Sequence, residues 1–169
     1  MSIKLRHFTR KDEISLAHHA DNPSVGRYLR DRFPSPFTLL DARWWIEEGH
    51  CAEGNLNFAV DLDGICIGSI GITFSGDSNC GQAEIGFWIG EQYWRKGYTA
   101  LAISELITYL TENTDFNTIV AHVAAPNIAS MKALEKAGFS LSRVNKNAAD
   151  VKAGIFDQHV YHLAIENPS

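Results

Sequence analysis

The chain has 169 residues, of which 45% are hydrophobic and 21% are charged, so it is long enough to bury one substantial core. A net charge of −5 disfavours binding to nucleic acid, and no apolar run reaches the roughly 18 residues of a membrane span. The three cysteines form no CxxC pair and no secretory signal pattern opens the sequence, so we expect a single domain over residues 1–169 in a reducing cytoplasm.

In chain order, the first half of the sequence predicts a strand, two helical regions and a hairpin. Thr38 begins the second helical region, because T-L-L-D has the spacing of a capping box with Asp41 as its acidic partner. Asp63 and Gly64 predict the turn of the hairpin. The predicted bounds are 3–8 for the strand, 11–29 and 38–50 for the helical regions, 32–36 for a proline-broken loop, and 55–61 and 65–74 for the hairpin strands.

The most informative part of the sequence is a predicted strand, turn and helix start. Residues 83–90 (A-E-I-G-F-W-I-G) alternate apolar side chains on one face with Glu84 on the other, as expected of a strand. Helical spacing begins after Gly97, and Arg95 and Lys96 lie between the two elements. The N-terminus of a helix offers unpaired N–H groups and partial positive charge, which suit a phosphate. The alternative is an ordinary strand-to-helix connection with two solvated cations.

A second strand and helix follow. Residues 118–123 predict the strand, and the helix begins after a proline with Asn127 as its N-cap. Gly138 stands where a left-handed C-terminal cap belongs. Two more strands are predicted near 140–144 and 155–165, so strands lie early and late in the chain with helices between them. This order favours an α/β sheet of mixed direction.

Together the two segments resemble the GNAT superfamily of acyl-CoA-dependent N-acyltransferases, and within it the branch of ribosomal-protein N-terminal acetyltransferases. That branch typically shows A-E-I-G-[YF]-W, then Y-W-G-K-G-Y-A, and later N-x-x-S and K-x-G-F. This chain has A-E-I-G-F-W, Y-W-R-K-G-Y-T, N-I-A-S and K-A-G-F in the same order. The resemblance implies the GNAT fold, with a mixed, mostly antiparallel central sheet of about six to seven strands flanked by about four helices.

The resemblance also implies acetyl-CoA as the co-substrate, with its pyrophosphate at the helix start. Two residues depart from the family pattern, because Arg95 and Thr99 stand where small residues are usual. Arg95 could add a phosphate contact or point to solvent, and Thr99 could cap the helix. Leu134 stands where the superfamily often has a tyrosine, so any proton donor must lie elsewhere. The implied cofactor-binding residues are Trp88, Ile89, Arg95, Lys96, Gly97, Tyr98, Thr99 and Asn127.

Glu84 and Ser130 are the candidate catalytic residues. An amine must be neutral to attack a thioester, so some group must accept a proton. A carboxylate in mid-strand is uncommon unless it is exposed or functional, so Glu84 is our candidate base or amine anchor. The alternative is a Glu84 that pairs with an arginine across the sheet. Ser130 is the serine of N-x-x-S, which by resemblance could hydrogen-bond the CoA sulfur, or it could bond its own helix backbone instead.

Other residues are weaker candidates. His18 and His19 are adjacent and are expected to face different ways on a helix. For His122 we favour a satisfied buried histidine over a catalytic one. Trp44 is expected in the core and Trp45 in a groove wall, with substrate stacking as a less favoured role.

No metal site and no covalent nucleophile are predicted. No pair of histidines has convincing metal-ligand spacing, so we expect no metal. Cys80 could lie near the strand of Glu84, but nothing nearby in sequence would lower its pKa. Direct transfer of acetyl from a thioester to an amine needs no acyl-enzyme.

Two function classes remain open. The first is an N-acetyltransferase whose acceptor is a primary amine, either a protein N-terminus or a small molecule. The second is a binding module that keeps the acyl-CoA pocket without the chemistry. The loop 21–36 should border the acceptor groove, but its mixed charge names no acceptor. The expected partners are acetyl-CoA and the amine, with no nucleic acid and no membrane, and a homodimer is a possible assembly.

Overall fold

The computed structural model describes residues 2–74 and 81–166. Within these residues the strands form one sheet of seven, in the order β1-β2-β3-β4-β5-β7-β6. Neighbouring strands are antiparallel except for β4 and β5, which run parallel, so the predicted mixed and mostly antiparallel sheet is confirmed. The strands are β1 Ile3–Arg6, β2 Asn55–Leu62, β3 Ile65–Thr73, β4 Gln82–Ile89, β5 Thr118–Ala124, β6 Ser140–Val151 and β7 Gly154–Ala164.

The helices of the described residues cover both faces of the sheet. One face packs against α4 and α5 in the larger apolar cluster, whose most buried members include Ile67, Ile103 and Leu106. The other face packs against α1 and α3 through a smaller cluster that includes Leu16 and Ile46. None of these helices is long and apolar enough to span a membrane. The α-helices are α1 Glu13–Ala20, α2 Pro23–Gly26, α3 Leu39–Glu47, α4 Tyr98–Asn113 and α5 Ile128–Lys136.

The predicted helical region 11–29 is wrong as one unit, because the chain breaks after α1. Asn22 adopts an extended conformation, and its side-chain oxygen accepts the backbone N–H of Ser24 at 2.8 Å. Pro23 then occupies the first turn of α2, where its missing N–H removes no helical hydrogen bond. An asparagine cap followed by proline starts a new helix, which leaves residues 27–36 as a loop beside the sheet.

The predicted strand 140–144 is too short, because β6 continues to Val151 and forms a long hairpin with β7. Register shifts interrupt their pairing at two places, and Asn147 adopts a left-handed conformation with φ 54°. Such bulges break the regular alternation by which a strand is recognised in sequence. The turn of this hairpin reaches the loop 27–36, since the backbone N–H groups of Lys152 and Ala153 donate to that loop at 3.1 and 3.0 Å.

A buried polar cluster joins β1, β2 and the start of α1. Arg6 binds Asp12 at 2.8 Å and Asp61 at 2.6 Å, and the second oxygen of Asp61 accepts the N–H of Gly64 at 2.9 Å. Asp61 is only 1% exposed. Burial acts to raise the pKa of Asp12 and of Asp61, but the hydrogen bonds and charge of Arg6 outweigh it and leave both pKa values below the ordinary range. The cluster therefore favours the folded state while its carboxylates are ionised.

Candidate active site

The sheet opens where β4 and β5 part. These parallel strands pair only from Gln82 opposite Thr118 to Glu84 opposite Val120, although β4 runs on to Ile89 and β5 runs on to residue 124. Beyond Glu84 the facing edges of the two strands therefore diverge. A gap in the middle of a sheet presents backbone donors and acceptors that a bound molecule can use.

The edge of β4 that faces this gap can be assigned from its neighbour. The N–H of Gly90 donates to Ile67 on β3 at 2.8 Å. Because backbone groups alternate between the two edges of a strand, Phe87 and Ile89 present theirs to the gap. The side chain of Trp94 donates to the carbonyl of Ile89 at 2.8 Å, which agrees with this assignment.

Glu84 lies at the point where the strands part, and its carboxylate binds two partners. One oxygen accepts Nη2 of Arg30 at 3.1 Å and Nδ1 of His122 at 2.9 Å. Arg30 comes from the loop after α2, so the arginine partner considered for Glu84 exists but does not lie across the sheet. The side chain of Glu84 remains 31% exposed, which leaves it open to a further partner.

His122 was weighed and favoured as a satisfied buried histidine, and the expectation that it is buried is wrong. It is exposed on β5, because the apolar residues Ile119, Ala121 and Val123 point to the opposite face. That alternation was readable in the sequence, and it puts His122 on the face of Glu84 once β4 and β5 are known to be neighbours. An ionised carboxylate can only accept, so Nδ1 carries the proton in this contact and Nε2 is left as an acceptor.

A cavity of about 550 Å³ adjoins Glu84 and His122 and is called the acceptor cavity below. The loop predicted to border an acceptor groove contributes Arg30 and Phe33 to its lining. Ser130 also lines it, so the two catalytic candidates, Glu84 and Ser130, face one space. The volume is typical of a small-molecule site.

The expectation that Trp44 lies in the core is wrong, whereas the expectation that Trp45 lies in a groove wall is confirmed. Trp44 is 55% exposed, whereas Trp45 packs against the smaller apolar cluster, and both line the acceptor cavity. Adjacent side chains on a helix point in different directions, but the sequence does not show which of the two faces the core. Trp88, predicted to bind cofactor, lines the same cavity and contacts Phe33 with ring centroids 6.3 Å apart.

The start of α4 carries the predicted phosphate loop. Gly97 is the N-cap, with φ 80° in the left-handed region, and no side chain caps this helix end. Thr99, which could have capped the helix, does not cap it, since it lies inside the first turn. Arg95 is also left-handed, with φ 63°, and Arg95, Lys96 and Gly97 are exposed while Tyr98 is buried. The exposed N–H groups of the first turn suit an anion.

Two lysines lie near Gly97: Lys96 precedes it in sequence, and Lys136 ends α5. A Cβ built on Gly97 would meet only Nζ of Lys136, at 3.8 Å, which brings the end of α5 beside the start of α4. Lys96 lies with its Nζ 5.9 Å from the centre of the Tyr93 ring. These lysines put positive charge beside the start of α4 in a chain of net charge −5, which suits an anionic phosphate.

The start of α5 is capped as predicted. Asn127 accepts the backbone N–H of Ser130 at 3.4 Å. Its side-chain oxygen is thereby engaged with the helix, whereas both Asn127 and Ser130 still line the acceptor cavity. This cap fixes Ser130 at the first turn, on the side of the gap between β4 and β5.

A second concavity of about 840 Å³ lies between α1 and the turn Glu91–Tyr93, away from Glu84. His18 and His19 line it with ring centroids 5.0 Å apart, and His18 is exposed while His19 is buried, as expected of adjacent helix residues that face different ways. Burial lowers the pKa of His19, and the charge of His18 lowers it further. His19 packs against Tyr93 with ring centroids 5.3 Å apart, in the turn that precedes the predicted phosphate loop.

In the parts of the chain that the structure describes, Cys51 is an exposed free cysteine and Cys66 is a buried one. No group of three His, Cys, Asp or Glu side chains in residues 2–74 and 81–166 could hold a metal ion. Burial raises the pKa of the Cys66 thiol to about 12, which keeps it protonated and unreactive. Cys80 lies outside the described residues.

Comparison with known proteins places this arrangement among acetyltransferases. The model of the acetyltransferase (GNAT) domain family matches residues 2–140. In sequence, the chain is 28% identical over 168 residues to the uncharacterized N-acetyltransferase p20 of Bacillus licheniformis, across 95% of this chain and 92% of that protein.

Solved structures share the fold over nearly the whole chain. RimL, a ribosomal alpha-N-protein acetyltransferase in complex with coenzyme A, matches with TM-score 0.86 and 17% identity, over 99% of this chain and 97% of that one. Spermidine N-acetyltransferase from Vibrio cholerae, in complex with CoA and spermine, matches with TM-score 0.79 and 18% identity, over 96% and 95%.

Proposed function

This chain belongs to the acetyltransferase (GNAT) family, and from that premise we propose that it acetylates a primary amine bound beside Glu84 and His122. It is an acetyl-CoA-dependent N-acetyltransferase, and what the proposal adds is the place and the chemistry of the acceptor. The observation that carries it is the carboxylate and imidazole pair, 2.9 Å apart, at the point where β4 and β5 part and the acceptor cavity begins.

The Glu84–His122 pair is proposed as the proton acceptor. The amine nitrogen attacks the thioester carbon, the carbon–sulfur bond breaks, and one proton leaves the nitrogen for the pair. The two side chains together offer that proton a carboxylate and an imidazole in direct contact, at 2.9 Å. Arg30 keeps the carboxylate in place beside the cavity. General-base assistance of this kind is worth about 10²–10⁴-fold in rate.

The remaining charge develops on the thioester oxygen and on the leaving sulfur. The N–H groups that Phe87 and Ile89 present to the gap are proposed donors to the oxygen, since fixed backbone dipoles stabilise such charge without reorganising. Ser130 is the proposed donor to the sulfur, because its side chain lines the same cavity.

Acetyl-CoA is proposed to lie along the gap with its pyrophosphate at α4. The exposed loop residues Arg95, Lys96 and Gly97, the first turn with Thr99, and nearby Lys136 supply the positive charge. Trp88, Ile89, Tyr98 and Asn127 remain proposed contacts or supports of the pantetheine arm and the loop.

Two acceptor classes come from the similar structures, a protein N-terminus and a polyamine, and both supply a primary amine. A binding module without chemistry is the alternative that an assay must exclude. The test is release of CoA thiol from acetyl-CoA by the purified chain with peptide N-termini, polyamines and amino acids, followed by intact-mass detection of the acetylated amine. We expect release that depends on one amine class. Tight binding of acetyl-CoA with no amine-dependent release would contradict the proposal and favour the binding module.

A further inference from the structure

The charges that line the acceptor cavity do not suit a polycation. Among the described residues its lining carries two carboxylates, Asp41 and Glu84, and two guanidinium groups, Arg30 and Arg32. Asp41 already accepts the N–H and the hydroxyl of Thr38, at 2.8 and 2.9 Å, in the cap of α3. Glu84 already binds Arg30. A polyamine would need several carboxylates for its ammonium groups, and the cavity offers one that a single amine can approach.

Arg32 is the charge that lacks a counterpart. It lines the cavity, yet its side chain forms no ion pair or hydrogen bond with residues 2–74 or 81–166. A guanidinium group presents a planar set of donors that matches the two oxygens of a carboxylate. The cavity therefore combines a place for an amine, at Glu84 and His122, with an unmatched place for an anionic group.

The turn that carries Arg32 is held in place. The N–H of Phe33 donates to the carbonyl of Arg30 at 2.9 Å, which closes the turn. From the hairpin of β6 and β7, Nζ of Lys152 donates to the carbonyl of Asp31 at 3.2 Å. These bonds hold the backbone of Arg32 beside the cavity, so binding need not order a free loop.

The cavity that holds these charged groups also has aromatic walls. Phe33 contacts Trp88 and Phe37, with ring centroids 6.3 and 5.3 Å apart. Trp44 and Trp45 lie 6.4 Å apart on the α3 side, and all five rings line the cavity. Such walls favour an acceptor whose flat or branched apolar side chain packs beside its amine and its anionic group.

We propose that the acceptor is a small amine that also carries a carboxylate and an apolar body, that is, an aromatic or branched-chain amino acid or a close analogue. Its amine lies at Glu84 and His122, its carboxylate binds Arg32, and its body lies against the aromatic walls. This inference rests on the proposed acetyl transfer and names its substrate class. A cavity of about 550 Å³ is large enough for such a molecule.

The test compares each amino acid with its own amide. CoA-thiol release is measured with tryptophan, phenylalanine and leucine, with the three amides, with spermidine and with a peptide bearing a free N-terminus. We expect at least one amino acid to exceed its amide by roughly 10- to 100-fold in kcat/KM, the range for loss of a charged hydrogen bond. Preference for the amides, spermidine or the peptide would overturn the substrate class and leave the acetyl transfer standing. No release with any amine would overturn both.

A substitution of Arg32 tests whether this residue causes the preference for the amino acid over its amide. Arg32→Gln should raise KM for the preferred amino acid and lower kcat/KM about tenfold or more, with little change for its amide. Arg143→Gln is the matched control, because it removes one positive charge at an exposed position of β6 outside the cavity lining. Equal loss with the amino acid and its amide, or equal loss in both variants, would contradict a carboxylate at Arg32.

Discussion

Asp61 on β2 and Glu84 on β4 are both strand carboxylates that bind an arginine, yet their surroundings differ. Asp61 is 1% exposed, and its two oxygens are filled by Arg6 and by a backbone N–H. The side chain of Glu84 is 31% exposed, and a single oxygen takes both partners, an exposed arginine and His122, beside a cavity. A saturated, buried carboxylate stabilises the fold, whereas a shared, accessible one is available for chemistry.

The largest effect is expected from Glu84→Gln, which keeps the size of the side chain but removes the charge. Turnover should fall about 10²–10⁴-fold, while the affinity for acetyl-CoA stays close to that of the wild type. Stability should change by less than about 1 kcal/mol, because the ion pair with Arg30 is exposed. Steady-state rates and calorimetric binding on one preparation check this. A stable variant with wild-type turnover would make Glu84 structural.

Asp61→Asn should show the opposite behaviour. The change weakens a buried ion pair, so the free energy of unfolding should fall by about 2–3 kcal/mol, with Arg6 still held by Asp12. The turnover of the molecules that remain folded should be unchanged, because Asp61 does not line the cavity. Urea unfolding measures the free energy of unfolding, and the rate per folded molecule measures the turnover. A stable but slow variant would remove the distinction drawn between the two carboxylates.

A smaller effect is expected when mild acid weakens the same cluster. The pKa values of Asp12 and Asp61 lie below the ordinary range in the folded state, so the unfolded chain takes up protons first as the pH falls. Their contribution is complete above the unfolded pKa of about 3.9 and is lost as the pH falls through the lower folded values. Unfolding free energy measured from pH 6 to pH 3 should decline below about pH 4, and less steeply in Asp61→Asn. If the unfolding free energies of the wild type and of Asp61→Asn fell equally with pH, the Asp61 carboxylate would not be a cause of the acid sensitivity.

Two glycines with positive φ differ in the same way, because only one of them lies in the proposed site. Gly97, at φ 80°, lies in the proposed phosphate loop, and Gly64, at φ 93°, lies in the turn between β2 and β3. A β-branched residue is strained at either position, by about 1–2 kcal/mol. Gly97→Val should also weaken acetyl-CoA binding about tenfold by obstructing the approach of the backbone, whereas Gly64→Val should cost stability alone. Calorimetry on both variants separates strain from binding, and equal affinities would remove the phosphate-loop assignment.

The smallest effect is expected from Ser130→Ala. Turnover should fall by less than about tenfold with CoA affinity unchanged, because solvent can also protonate the leaving thiolate. If the hydroxyl serves only the helix start, the change instead costs about 1 kcal/mol of stability. Melting temperature and turnover measured on one preparation distinguish the two roles of Ser130. A destabilised but fully active Ser130→Ala protein would contradict the catalytic role.

The sequence predicted the part of the site whose signals are local. The strand of Glu84, the glycine at the start of α4 and the Asn127 cap each depend on residues within a few positions of one another, so pattern and capping rules reach them. The break of α1 was also local, in Asn22 and Pro23, but it was outweighed by apolar spacing on either side.

The rest of the site depends on contacts between distant segments. Arg30 and Glu84 are 54 positions apart, and only the folded loop brings them together. That His122 lies on the same side of the sheet as Glu84 follows only once the parallel pairing of β4 and β5 is known. The burial of Trp45 rather than Trp44 depends on how α3 rotates against the sheet, which spacing alone does not fix.

The most direct test of the account is the pH dependence of the rate deficit in Glu84→Gln. Turnover of wild type and variant is measured from pH 6 to pH 10 with one reactive amine. If the Glu84–His122 pair takes the proton of the amine, the deficit should shrink as the pH rises, because more of the amine is already neutral. A deficit that stays constant over the whole range would show that Glu84 only positions the acceptor, and no deficit at any pH would contradict its role in the chemistry.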